Sequence, residues 1–82
     1  MHIPRVISAK AVDSRILEIE FDNHQKRHYD ITPLLSKEVF SPLDNPAIFR
    51  AVNVEKGGYG ISWNNEIDLS EYELWQHGAA KL

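Results

Sequence analysis

The sequence predicts a single α+β domain over residues 1–82, built in two layers as an antiparallel three-stranded meander, a short helical crossover, a β-hairpin and a C-terminal helix (β3-α-β2-α). Three observations carry this expectation. Leu17-Glu18-Ile19-Glu20-Phe21 alternates apolar and charged residues with the period of a half-buried strand. Lys56-Gly57-Gly58 separates two further strand-like runs and supplies glycines free to take positive φ. Ser70-x-x-Glu73, flanked by Leu69 and Leu74, is a capping box with its hydrophobic staple. A chain of 82 residues buries only about 63% of its unfolded surface. Its large apolar side chains are therefore needed inside, or a partner covers them.

The elements follow in order. Val6 to Val12 is rich in β-branched and small residues and reads as the first strand, with Asp13-Ser14 as the turn into the second. In the second strand Leu17, Ile19 and Phe21 point inward. Asp22 to Gln25 is a polar turn. Lys26 to Ile31 is the third strand, with Arg27, Tyr29 and Ile31 on one face and Lys26, His28 and Asp30 on the other. Thr32-Pro33 and Asn45-Pro46 are cap-then-proline helix starts, so residues 32–50 form a crossover with two brief helical turns. Ala51–Glu55 and Tyr59–Trp63 are the hairpin strands. Asn64-Asn65 turns the chain again, and Ile67 and Leu69 suit a short pairing. The last helix runs from about Glu71 to His77, presents Leu74 and one or both of Tyr72 and Trp75 to the sheet, and ends at Gly78 as its C-cap.

Composition excludes several classes. With no cysteine there is no disulfide framework, thiolate zinc site or cysteine nucleophile. The N-terminus lacks the apolar stretch of a signal peptide and no apolar run reaches membrane-span length. A cytoplasmic protein without membrane attachment is expected. Residues 1–30 carry five basic and five acidic side chains and residues 31–50 carry two of each. The net charge of −3 therefore sits in residues 51–82, where Lys56 and Lys81 face Glu55, Glu66, Asp68, Glu71 and Glu73. No segment supplies the basic surface that nucleic acid requires. An acidic region instead attracts a basic protein, although charged residues on a helix also serve simply as a solvated face.

Chemistry-bearing constellations are weak. His24 and His28 have a spacing that binds metal on a helix, but here it spans a turn and a strand, so neither a metal nor a cofactor is expected. His28 and Asp30 share a strand face without an evident pocket. Ser36, Ser41 and Ser70 lie at turns or caps, and the glycines at 57, 58 and 60 lead into a strand and not a phosphate-binding helix. No catalytic residues are assigned and the protein is not expected to be an enzyme. Trp63 reads as a core residue or a recognition anchor. Trp75, on a short helix, is expected to be only partly buried.

Tyr29-Asp30-Ile31-Thr32-Pro33-Leu34-Leu35, then Gly60-Ile61-Ser62-Trp63 followed by Asp68-Leu69, are the most specific parts of a pattern that begins at Pro4-Arg5-Val6 and includes Phe40, Leu43, Phe49 and Val52. The chain, over nearly its whole length, resembles the small bacterial domain of unknown function 2442. It departs where members often have Asp-Gly after the second strand (here Asp22-Asn23) and Asn-Gly in the later turn (here Asn65-Glu66). The resemblance implies the β3-α-β2-α fold and no established activity. It also implies gene neighbourhoods that look like toxin–antitoxin pairs, and relatives with a DNA-binding helix-turn-helix, for which a sequence ending at Leu82 leaves no room.

The expected function is a small protein-interaction module, antitoxin-like, that masks a small basic protein through Glu66, Asp68, Glu71, Glu73 and Trp75, with strand addition at an uncovered sheet edge as a further contact. Uncovered edges also suit a homodimer. The alternative is a ligand-sensing or regulatory domain acting with a DNA-binding partner, its ligand held in an apolar pocket behind Tyr59 and Trp63.

Overall fold

Alternation along the first thirty residues produces the expected meander. The computed structural model describes residues 3–80. Strands β1 (Val6–Ala11), β2 (Ile16–Phe21) and β3 (Lys26–Asp30) pair antiparallel. Leu17, Ile19 and Phe21 are buried as their spacing requires, and Ala9 and Ala11 pack on the same side. Across β3, Tyr29 is buried and Arg27 half-buried, with Ile31 buried just beyond the strand.

Two irregularities shape this sheet. The β1–β2 register shifts between Val6 and Ser8, so Ile7 bulges out and is 51% exposed, while Val6 remains opposite Phe21 in the core. The β2–β3 turn places His24 at φ +70°, in the left-handed region. On the outward face Glu18 is only 7% exposed, because Lys10 and His28 flank it on the neighbouring strands.

The crossover is more segmented than expected. It consists of 3₁₀ helices at Thr32–Ser36 and Glu38–Asp44, then helix α1 (Pro46–Phe49). Asn45 caps α1 as predicted, its Oδ1 accepting from the Ala47 amide at 2.9 Å. Thr32 does not cap its helix. Asp30 does the local work instead, accepting from the Thr32 amide at 2.8 Å. The Thr32 hydroxyl, and then that amide, hold the Asp30 carboxyl below its usual range. Leu43 and Phe49 are the buried anchors of the crossover.

The expected hairpin is a second sheet of three short antiparallel strands, β4 (Asn53–Val54), β5 (Gly60–Ser62) and β6 (Asp68–Ser70). Val54, Ile61 and Leu69 are aligned across it. Gly57 and Gly58 take φ of +83° and +77°, as the turn chemistry anticipates. Asp68 therefore lies within a strand, directly before the final helix.

Helix α2 (Glu71–His77) packs against β3, β5 and β6 through Leu74, with Trp75 half-buried and Tyr72 exposed. Its capping box is half formed: Ser70 Oγ accepts from the Glu73 amide at 3.1 Å, but the Glu73 carboxylate turns to tertiary partners. Gly78 is not a left-handed cap; it has φ −75° and ψ 141°. It leads into an additional strand, β7 (Ala79–Ala80), which pairs with β3 and makes the first sheet four-stranded in the order β1-β2-β3-β7. Among the described residues no helix is long and apolar enough to cross a membrane.

Candidate functional site

The five acidic and aromatic residues expected to meet a partner fall into four settings. Glu71 opens α2, where a carboxylate complements the helix dipole. Its two oxygens accept from Arg5 Nη1 at 2.8 and 2.7 Å. The same guanidinium lies over the Tyr59 ring at 4.2 Å, and the Glu71 amide donates to the Tyr59 carbonyl at 2.9 Å. Hydrogen bonding to Glu71 raises the Arg5 pKa further. Arg5, Tyr59 and Glu71 thus form one unit joining the start of β1 to α2.

Glu73 holds a second unit. Its Oε2 accepts from the Tyr29 hydroxyl at 2.7 Å and lies 2.9 Å from His77 Nδ1, one helical turn on. Burial, and then donation to this carboxylate, push the Tyr29 hydroxyl far above its ordinary value. Trp75 belongs to a third. The Arg27 guanidinium stacks on its ring at 3.7 Å, and Phe21 meets the indole edge-on at 5.1 Å. Arg27 Nη1 also donates to the carbonyls of Trp75 at 3.0 Å and Gly78 at 3.4 Å, neutralising the carboxyl end of α2.

Glu66 and Asp68 differ from these three. Both are exposed, and among the described residues neither carboxylate is ion-paired. The Asn64 side chain fixes the turn before them by accepting from the amides of Glu66 and Ile67 at 2.8 and 2.9 Å. Exposed Glu55, also without an ion pair among the described residues, lies at the other end of the small sheet.

Tyr59 and Trp63 have separate surroundings among the described residues. The Trp63 indole stacks on Phe49 at 6.2 Å and donates to the Phe49 carbonyl at 2.8 Å, so it anchors α1 to the end of β5. Tyr59 is 59% exposed at the rim of an open depression of about 450 Å³ that also includes Glu55, Gly60 and Asp68, and not Trp63. His28 Nε2 lies 3.2 Å from Glu18 Oε2, whereas Asp30 is engaged with Thr32, so the structure does not assemble the two as an acid–base pair. His24 is set apart from both in its left-handed turn.

A groove of about 480 Å³ between the Glu38–Asp44 helix and the β5–β6 turn also escaped the reading of residue types. Its contributors are separated in sequence, and only Glu66 stood out, by charge. A family model described as a protein of unknown function, DUF2442, matches residues 6–80. No curated protein and no solved structure matches the chain.

Proposed function

The chain belongs to the DUF2442 family of proteins of unknown function, and from that premise we propose that it is a small cytoplasmic protein-interaction module that masks a basic protein partner in the manner of an antitoxin. It acts by covering a surface and not by catalysing a reaction. The observation that carries this reading is the division among its carboxylates. Glu71 and Glu73 are engaged within the fold, whereas Glu55, Glu66 and Asp68 stand exposed without an ion pair among the described residues. Within the acidic region of residues 51–82, the carboxylates most available to a basic partner are therefore those of the small sheet and its turns. Glu71, Glu73 and Trp75 support that surface by fixing α2 behind it.

Exposed charges add modestly to affinity and more to the rate of encounter. Association is expected to slow as salt rises and the attraction is screened. The test is affinity capture of the tagged chain from its own host at native expression, with captured proteins identified by mass spectrometry. One stoichiometric small basic protein, lost with Glu66→Gln/Asp68→Asn, is the expected result. Recovery of the chain alone, or only with itself, overturns the proposal.

A further inference from the structure

We propose that the groove between the Glu38–Asp44 3₁₀ helix and the β5–β6 turn receives one lysine or arginine side chain of a basic protein partner. The inference rests on the interaction-module reading and gives it a place and an anchor. The groove is lined by Glu38, Val39, Pro42, Asn64, Glu66 and Ile67. Its two carboxylates come from separate elements, and its lining contains no cation to balance them. Among the described residues neither is ion-paired.

The remaining lining chooses among cations. Val39 is 46% exposed, and with exposed Pro42 it gives the groove an apolar wall, while Ile67 is itself buried. A hydrated divalent ion needs six or more oxygen ligands and gains nothing from such a wall. A lysine or arginine side chain has both parts: its methylene stem covers apolar surface while its charged head reaches the carboxylates. The turn carrying Glu66 is already fixed by Asn64, so little ordering is required on binding.

The test is a titration of the ¹⁵N-labelled full chain at low salt with a capped, glycine-spaced peptide carrying three lysines. The same peptide with acetylated lysines, and calcium chloride at matched ionic strength, serve as comparisons. Saturable amide shifts centred on Val39, Asn64, Glu66 and Ile67 are expected from the lysine peptide and from neither comparison. Glu38→Gln/Glu66→Gln should weaken binding about tenfold, as two exposed ion pairs warrant. Val39→Ser should weaken it about threefold through lost stem contact, a change that charge attraction alone does not produce. Shifts centred on Glu55 and Asp68, indifference to the double substitution, or equal response to calcium overturn the groove. Absence of any saturable shift with the lysine peptide or its arginine counterpart does so as well. The interaction reading is decided separately, by the captured partner, so failure of the groove and failure of that reading are distinguishable.

Discussion

Replacing Gly78 by alanine separates two reasons for a glycine to follow a helix. If a left-handed backbone required it, φ would be positive; φ is −75°, which any residue adopts. The requirement is space. A Cβ at this position would stand 2.5 Å from the Leu74 carbonyl oxygen and 3.1 Å from Arg27 Cβ. The first neighbour is backbone and already accepts the Gly78 amide at 3.0 Å, so relief means opening the end of α2 or moving β3. Such overpacking costs about 1–3 kcal/mol. The alanine recovers about 0.4–1 kcal/mol by restricting the unfolded chain. Mid-range values give a net loss of about 1.3 kcal/mol, or a fall in Tm of about 5–10 °C for a domain of this size. Thermal melts followed by circular dichroism, with urea titrations at fixed temperature, measure it. An unchanged or raised Tm for Gly78→Ala would refute the argument, since only the unfolded-state gain would then be acting.

Other substitutions probe the remaining contacts. His24→Gly, which relieves a side chain at φ +70°, should raise stability by about 0.5–1 kcal/mol while His24→Ala does not, as read from paired melts. Arg27→Ala should cost about 1–3 kcal/mol and shift Trp75 fluorescence to the red, because it removes both the stack and the carbonyl cap; Arg27→Lys, lacking the planar fork, should recover little of this. Tyr29 is raised in the fold, so its neutral form is favoured there. Stability should hold up to the unfolded tyrosine value near pH 10 and fall as pH rises further. Absorbance titration near 295 nm should then show one tyrosine ionising only with unfolding, a step that Tyr29→Phe removes.

The parts legible in the sequence are those written in adjacent residues. Alternation in Leu17–Phe21, the paired glycines at 57 and 58, the Asn45-Pro46 cap and the Ser70 cap all appear as read. What was hidden depends on partners far along the chain. Glu73 has the spacing of a reciprocal capping box, but Tyr29, 44 residues away, captures its carboxylate. Arg27 looks like one charged residue in a strand until α2 brings Trp75 beneath it. Ala79-Ala80 has no apolar alternation, and its strand follows from the open edge of β3. The acidic surplus was legible, but which carboxylates were already engaged was not, because a sum of charges says nothing of pairing. Trp63 illustrates the same limit: its type suits recognition or packing equally, and the Phe49 carbonyl is what commits it to packing.

The bulge at Ile7 bears on solubility. A regular six-residue edge strand exposes a row of amides and carbonyls on which a second chain can template itself. Within β1 that row is broken after Val6, where the extra residue bends the strand and sharpens its twist, and the charged end of Lys10 lies a few residues beyond. Sheets from two copies therefore meet a kinked and charged border. The fold thus limits growth at this edge, even though Ile7 is left facing water as a consequence.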